Sequence, residues 1–150
     1  MTNDAVLRDV RITNVANVSK SNVVWGLMGD TSAAGVGSAD AYNCTVEKGA
    51  RLQMYHGVAY DTTITTGAMF NIAWGSAVRT TISGGAYNGA GDGARMILHY
   101  AAGRVYDTTV GSGGTMTISN GRASDTTVSS GGSLTVVGGV ASGLVMEAGA

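Results

Sequence analysis

Residues 103–139 contain the same eighteen-residue text twice in succession. Arg104-Val105-Tyr106-Asp107-Thr108-Thr109-Val110-Gly111-Ser112-Gly113-Gly114-Thr115-Met116-Thr117-Ile118-Ser119-Asn120-Gly121 runs without a gap into Arg122-Ala123-Ser124-Asp125-Thr126-Thr127-Val128-Ser129-Ser130-Gly131-Gly132-Ser133-Leu134-Thr135-Val136-Val137-Gly138-Gly139. A tandem period this short points to a solenoid. Each copy is one supersecondary unit that buries its apolar face by stacking on the next.

Counting from the residue that opens each copy, the period extends over most of the chain. Copies run Ala39 to His56 and Gly57 to Trp74, start again at Gly75, Gly103 and Gly121, and a last one starts at Gly139 and stops mid-repeat at Ala150. The copy opened by Gly75 carries ten extra residues, read here as an inserted loop at about 87–96 that rejoins the pattern at Ile97. Apolar residues recur at fixed offsets. Two after the opening come Ala41, Ala59, Ala77, Val105, Ala123 and Ala141, and seven after come Val46, Ile64, Ile82, Val110, Val128 and Met146. Thirteen after come Leu52, Phe70, Leu98, Met116 and Leu134, and fifteen after come Met54, Ile72, Tyr100, Ile118 and Val136. Offsets five and seven, then thirteen and fifteen, differ by two, which is strand spacing with one face inward. A glycine stands ten after every opening (Gly49, Gly67, Gly85, Gly113, Gly131 and Gly149), as a recurrent bend with positive φ requires. The expected fold is all-β, a parallel β-helix with one coil per eighteen residues. Coils stacked at roughly 4.8 Å make a rod on the order of 30 Å long.

Residues 1–38 do not follow the period and are read as an N-terminal cap with irregular first coils, with 39–150 forming the repeat array. Ala5 to Thr13 alternates imperfectly and reads as a strand, Asn22 to Met28 is a second apolar run, and Gly29 to Gly37 is a small-residue loop. Because the last copy ends halfway round, with an uncovered core layer and open strand edges, the expectation is a fragment of a longer array, or else an end that meets another subunit.

Composition narrows the function classes. Net charge is −1, which argues against a nucleic-acid partner, since that needs a basic face. No stretch of about 18 apolar residues is long enough for a membrane helix, and Thr2-Asn3-Asp4 is not the basic start of a signal peptide. A single cysteine, Cys44, has no partner for an internal disulfide.

The column five after the opening holds Cys44, Thr62, Thr80, Thr108, Thr126 and Leu144. Its apolar ends mark an inward site, where threonine hydroxyls are expected to bond along the stack or to backbone carbonyls. With Ile64, Ile82, Val110 and Val128 it forms the expected core ladder. Thr45, Thr63, Thr81, Thr109 and Thr127 face outward. Tyr42, Tyr60 and Tyr106 share an outward column, with Tyr55, His56 and Trp74 at the opposite corner. Tyr42, Tyr60, Trp74 and Tyr106 are the candidate binding surface, since exposed rings stack on sugars or on a partner chain.

No catalytic constellation, cofactor site or metal site emerges. His56 and His99 lie outside the inward columns. Asp61, Asp107 and Asp125 recur one residue before the inward threonine, interrupted by Arg79. Clustered carboxylates supply acid and base in glycan cleavage, but here the spacing is the repeat period, and hydrogen bonding at a turn or a strand entry accounts for them. Gly89-Ala90-Gly91-Asp92-Gly93 is one isolated glycine–aspartate turn, too little for a calcium cage of six to eight oxygens. Cys44 reads as a small core residue with no histidine placed to activate it. Asn43-Cys44-Thr45 and Asn17-Val18-Ser19 are formal N-glycosylation triplets.

The order Asp-Thr-Thr-Val, then Ser-Gly-Gly, then a hydrophobic alternation, then Gly-Gly-x-Ala resembles the passenger repeats of AIDA-type and antigen-43-type autotransporter adhesins. The resemblance covers about 39–150 and is strongest over 103–150. It implies a right-handed parallel β-helix on a bacterial surface or secreted from it, with adhesion, self-association or biofilm formation as the role. It implies other surface proteins or glycans as partners, and O-glycosylation by a heptosyltransferase on outward hydroxyls such as Ser112, Thr115, Ser129, Ser130 and Ser133. No translocator barrel is present in this sequence. A structural rod in a phage fibre or extracellular filament, stacking end to end, is the second reading. A polysaccharide-processing β-helix enzyme is the third.

Overall fold

The computed structural model describes residues 5–12, 23–27, 39–85 and 93–150. These are all β, with parallel pairing throughout, stacked as a solenoid of about 6 turns. The first turn comprises β1 (Ala5–Arg8), β2 (Arg11–Ile12) and β3 (Val23–Leu27), the second β4 (Ala39–Tyr42), β5 (Thr45–Val46) and β6 (Arg51–Met54). The third has β7 (Val58–Tyr60), β8 (Thr63–Ile64) and β9 (Met69–Ile72), the fourth β10 (Ser76–Val78), β11 (Thr81–Ile82) and β12 (Ala94–Leu98). In the fifth and sixth, two short strands merge into one long one. They hold β13 (Arg104–Val110) with β14 (Gly114–Ile118), and β15 (Arg122–Val128) with β16 (Ser133–Val136). β17 (Val140–Ser142) and β18 (Val145–Met146) follow.

Each turn makes three strand segments that pair only with the turns before and after. The third segments form one six-stranded sheet, β3-β6-β9-β12-β14-β16, and the first two segments form the branched twelve-stranded sheet. The register keeps each repeat offset in one column. Val46 pairs with Ile64, Ile64 with Ile82, Ile82 with Val110, and Val110 with Val128. All five are fully buried. Alternation does the rest: in β12 and β14 every second side chain is buried. Ala41, Ala59, Ala77, Val105 and Ala123 fill a narrow part of the interior, and Leu52, Phe70, Ile72, Met96, Leu98, Met116 and Ile118 fill the wide part.

Three bends close each turn, and the sequence marks two of them. The glycine ten after each opening has φ between 47° and 84°. The other bend separates the two short strands. Asp9, Asn43, Asp61, Arg79, Asp107 and Asp125 all stand there with φ between 50° and 56°, and Gly143 has φ 59°. Aspartate and asparagine enter this left-handed region more readily than other non-glycine residues, because their short polar side chains bond locally. The recurrent aspartate is therefore a bend residue. Its side chains also tie turns together: Asn43 Nδ2 donates to Asp9 Oδ1 at 2.7 Å.

The structure corrects the reading of the interrupted copy. Met96, not Leu98, pairs with Phe70 and Met116, and Leu98, not Tyr100, pairs with Ile72 and Ile118. Tyr100 is 49% exposed. The inserted loop at about 87–96 therefore ends earlier, since Ala94 to Met96 already lie in β12. The extra residues divide between two bends. Eight fall between Gly85 and Ala94, and Leu98 to Gly103 is longer by two than Ile118 to Gly121. The apolar triplet Ala94, Met96, Leu98 fills the interior better than Leu98 with a tyrosine, which explains the choice.

At the N-terminus β1, β2 and β3 pair in parallel with β4, β5 and β6, so residues before Ala39 contribute one turn to the same stack. The Gly29–Gly37 loop, the Asn17-Val18-Ser19 triplet, most of the proposed cap and most of the Gly89–Gly93 turn lie outside the described residues.

Candidate functional site

Strand alternation sends every other side chain to solvent, and in-register stacking lines these up by chemical type. On the twelve-stranded sheet Thr45, Thr63, Thr81, Thr109 and Thr127 follow one another turn by turn. Beside them runs the column Tyr42, Tyr60, Val78, Tyr106, Ser124. The rings of Tyr42 and Tyr60 stack at 4.9 Å with 11° between planes. The Arg8 guanidinium lies 4.4 Å from the Tyr42 centroid, and the Arg79 guanidinium 5.9 Å from that of Tyr60. The outer faces of this pair are thus covered by cations, leaving edges and hydroxyls to solvent. Val78 separates Tyr106 from the stack.

Trp74 belongs to a second cluster. It follows β9 at the bend between the two sheets and stacks on Tyr100 at 4.7 Å and on His56 at 5.8 Å, with Tyr55 tilted against it at 5.7 Å. Trp74 and Tyr100 remain 40% and 49% exposed. The sequence set Trp74 at one corner with Tyr55 and His56, while counting it in the candidate surface with Tyr42, Tyr60 and Tyr106. The structure adds Tyr100 to Tyr55 and His56 as its ring partners. Beside it a groove of about 190 Å³ opens on the six-stranded sheet, lined by Gln53, Tyr55, Asn71, Ala73, His99 and Tyr100. The sequence reading did not find this groove. Its signal was a small residue, Ala73, in the column between Tyr55 and His99, hidden because Tyr100 had been placed in the core.

The aspartates occupy a different face. Asp107 and Asp125 line an open groove of about 360 Å³ with Thr109, Thr127, Gly143 and Val145. Asp61 instead pairs with Arg79, Nε to Oδ1 at 2.6 Å and Nη2 to Oδ2 at 2.8 Å. Hydrogen bonds from Arg79 hold its carboxyl below the usual carboxylate range, which suits a structural anion and not a proton donor near neutrality. Among the described residues no three His, Cys, Asp or Glu side chains converge to hold a metal ion, and no helix is long and apolar enough to cross a membrane.

Cys44 is buried, and burial pushes its thiol pKa up. Its Sγ points to the Tyr42 carbonyl at 3.5 Å. Thr62, Thr80, Thr108 and Thr126 share its column at 0–1% exposure, yet none of their hydroxyls has a hydrogen-bond partner. The expected bonding along the stack or to carbonyls is therefore absent. The threonines fit here as β-branched, nearly apolar fillers.

Of the candidate glycosylation residues, Ser112 and Ser130 stand exposed one turn apart at the glycine bend, Ser133 is exposed on the adjoining strand, and Thr115 and Ser129 are half-buried.

These features define a parallel β-solenoid whose outer faces carry stacked hydroxyl and aromatic columns. Among solved structures the chain is similar to a TibC-catalysed, hyper-glycosylated fragment of TibA, with 24% sequence identity and a TM-score of 0.37, over 75% of this chain and 60% of that fragment. This chain thus spans less than two thirds of that fragment. No protein-family model and no curated protein matches it.

Proposed function

We propose that this chain is a non-enzymatic surface module for bacterial adhesion or self-association, located outside the cell. One observation carries the reading: the unbroken outward column Thr45, Thr63, Thr81, Thr109, Thr127, held in register by the core beneath it. Only 13% of the chain is charged, so little repulsion opposes lateral contact between two such faces. Many neutral hydrogen bonds, each weak, add along a rigid rod by raising the effective concentration of the next. The resemblance of the repeats to AIDA-type and antigen-43-type passengers supports the same role. Ser112, Ser130 and Ser133 are the accessible acceptors for sugar attachment by a heptosyltransferase, with Thr115 and Ser129 less exposed.

Sedimentation velocity over a concentration series tests the reading, with Thr109→Lys/Thr127→Lys as the variant that sets like charges one turn apart. Self-association of the parent, lost in the variant and restored at high salt, is expected. A parent that stays monomeric at every concentration and leaves coated beads dispersed refutes it. Turnover of an acidic polysaccharide, abolished by Asp107→Asn, would replace it with the enzyme reading.

A further inference from the structure

The groove beside Trp74 has properties that the adhesive reading does not use. Asn71 is 8% exposed, and its Oδ1 has no hydrogen-bond partner, although it lies on the outward face of β9 among the groove-lining residues. A buried polar atom left unpaired calls for a reason. Oδ1 itself is closed to solvent as it stands, so a ligand hydroxyl reaches it only when the carboxamide turns into the groove that Asn71 lines. Beside Asn71, Gln53 Nε2 donates to the Tyr55 hydroxyl at 2.8 Å. That bond fixes both side chains and leaves the Gln53 carbonyl oxygen as an acceptor and the tyrosine O–H as a donor.

Shape comes from the column Tyr55, Ala73, His99. Backbone bonds from Trp74 N to Tyr55 O, and from His99 N to Ile72 O, continue the strand registers and set these residues on successive turns. Alanine between two ringed residues leaves a slot. Its flanking positions are two turns apart, roughly 9.6 Å at 4.8 Å per turn. Two van der Waals contacts of about 3.5–4.0 Å take 7–8 Å of that, and the remainder admits a puckered ring. Tyr100, stacked on Trp74, walls one side. Asp, Glu, Lys and Arg are absent from the residues lining the groove, so no permanently charged side chain there compensates a charged ligand.

We propose that this groove is a binding site for a neutral sugar ring, with Asn71 and Gln53 accepting from ligand hydroxyls, Tyr55 and His99 flanking the ring, and Tyr100 forming the wall. The class follows from the chemistry. A pyranose offers hydroxyl donors to the unpaired carboxamide and C–H faces to the aromatic rings, and it carries no charge. The proposal supplies a ligand class to an adhesin but stands on the groove alone. Loss of self-association would leave it intact, and absence of sugar binding would leave self-association intact.

The test uses the whole chain with methyl glycosides of glucose, galactose, mannose and N-acetylglucosamine, read by saturation-transfer NMR and titration calorimetry. At least one is expected to saturate a single site and shift the Asn71 side-chain amide resonances. Ala73→Leu fills the slot and should abolish binding. Asn71→Ala should weaken it about tenfold, and Arg122→Ala, exposed on the other sheet, should leave it unchanged. The Asn71 amide shifts in the parent keep the test decisive if a variant fails to fold. The proposal is overturned if no glycoside saturates, if binding survives Ala73→Leu, or if glucuronic acid binds more tightly than every neutral sugar.

Discussion

Replacing Thr108 with valine should make this protein more stable, against the usual direction of a core substitution. Thr108 is 1% exposed, sits between Thr80 and Thr126 in the stack, and its Oγ1 has no partner. Valine keeps the branched shape and exchanges the hydroxyl for a methyl. Desolvating a hydroxyl without a bond costs about 1–3 kcal/mol on the scale of protein substitutions, and a buried methyl group contributes about 0.8 kcal/mol of transfer energy. Part of this is lost because the methyl is larger than the oxygen. The expected gain is about 1–2 kcal/mol. Cys44 in the same column shows that the site takes a soft, apolar group. Thr108→Ser is the matched control. It keeps the hydroxyl, loses a methyl group, and should cost about 1 kcal/mol. Urea unfolding followed by far-ultraviolet circular dichroism measures both, with an unchanged slope as the condition for comparing midpoints. If Thr108→Val lowers stability by about 1 kcal/mol or more, the hydroxyl was making a hydrogen bond. The account of the column as a nearly apolar filler would then be wrong.

Other consequences are narrower. A Cβ added at Gly132 would stand 2.4 Å from the Val110 carbonyl oxygen, a backbone contact that can relax only by spreading two turns, whereas at Gly111 the nearest atom is Ser83 Cβ at 3.3 Å. Gly132→Ala should therefore cost about 2–3 kcal/mol in the same urea assay and Gly111→Ala clearly less. Cys44 should react with a maleimide slowly in the native protein and fast in denaturant, because the thiol is buried and its pKa is raised. Equal rates would mean that the interior opens freely. Arg79 holds the Asp61 carboxyl low, so their pairing stabilises the fold above the ordinary aspartate range near 3.9 and is lost as pH falls through the lower folded value. Carbon-detected NMR titration should show Asp61 protonating below the ordinary aspartate range, and Arg79→Ala should return it to that range. An Asp61 titration unmoved by that change would show the pair to be absent in solution.

The sequence disclosed the coil because its period is strict and its offsets are those of strands. Val46, Ile64, Ile82, Val110 and Val128 align without any knowledge of the backbone. It disclosed less where the period breaks. Counting alone cannot divide ten extra residues between two bends, and the alternation in Ala94-Arg95-Met96-Ile97-Leu98 admits two registers. Choosing between them depends on interior volume, which needs the neighbouring turns in place. That one slip of two residues turned Tyr100 inward, and with it hid the groove that Tyr100 walls. Asn71 was invisible for another reason. Nothing in an outward asparagine indicates that the rings around it leave only 8% of it exposed. The offsets set Trp74 at one corner with Tyr55 and His56, and its stacking on Tyr100 was hidden by that same slip.

The aspartate column shows how a repeat can imitate chemistry. Carboxylates at a fixed spacing on one face are what glycan cleavage uses, yet here the same spacing follows from the backbone. Six non-glycine residues at this bend have φ near 50°, and the occupants are three kinds that tolerate it by different means. Aspartate and asparagine bond locally, Gly143 lacks a Cβ, and Arg79 is held by its two bonds to Asp61. If the column were maintained for acid and base, the arginine and glycine would be interruptions. If it is maintained for the bend, they are alternatives, and Asp107→Asn or Asp125→Asn should leave the fold unchanged while β-branched valine at either position destabilises it by about 1–2 kcal/mol. Asparagine and valine remove the carboxylate equally, so only the backbone requirement separates them. Equal effects of the two substitutions would return the column to chemistry.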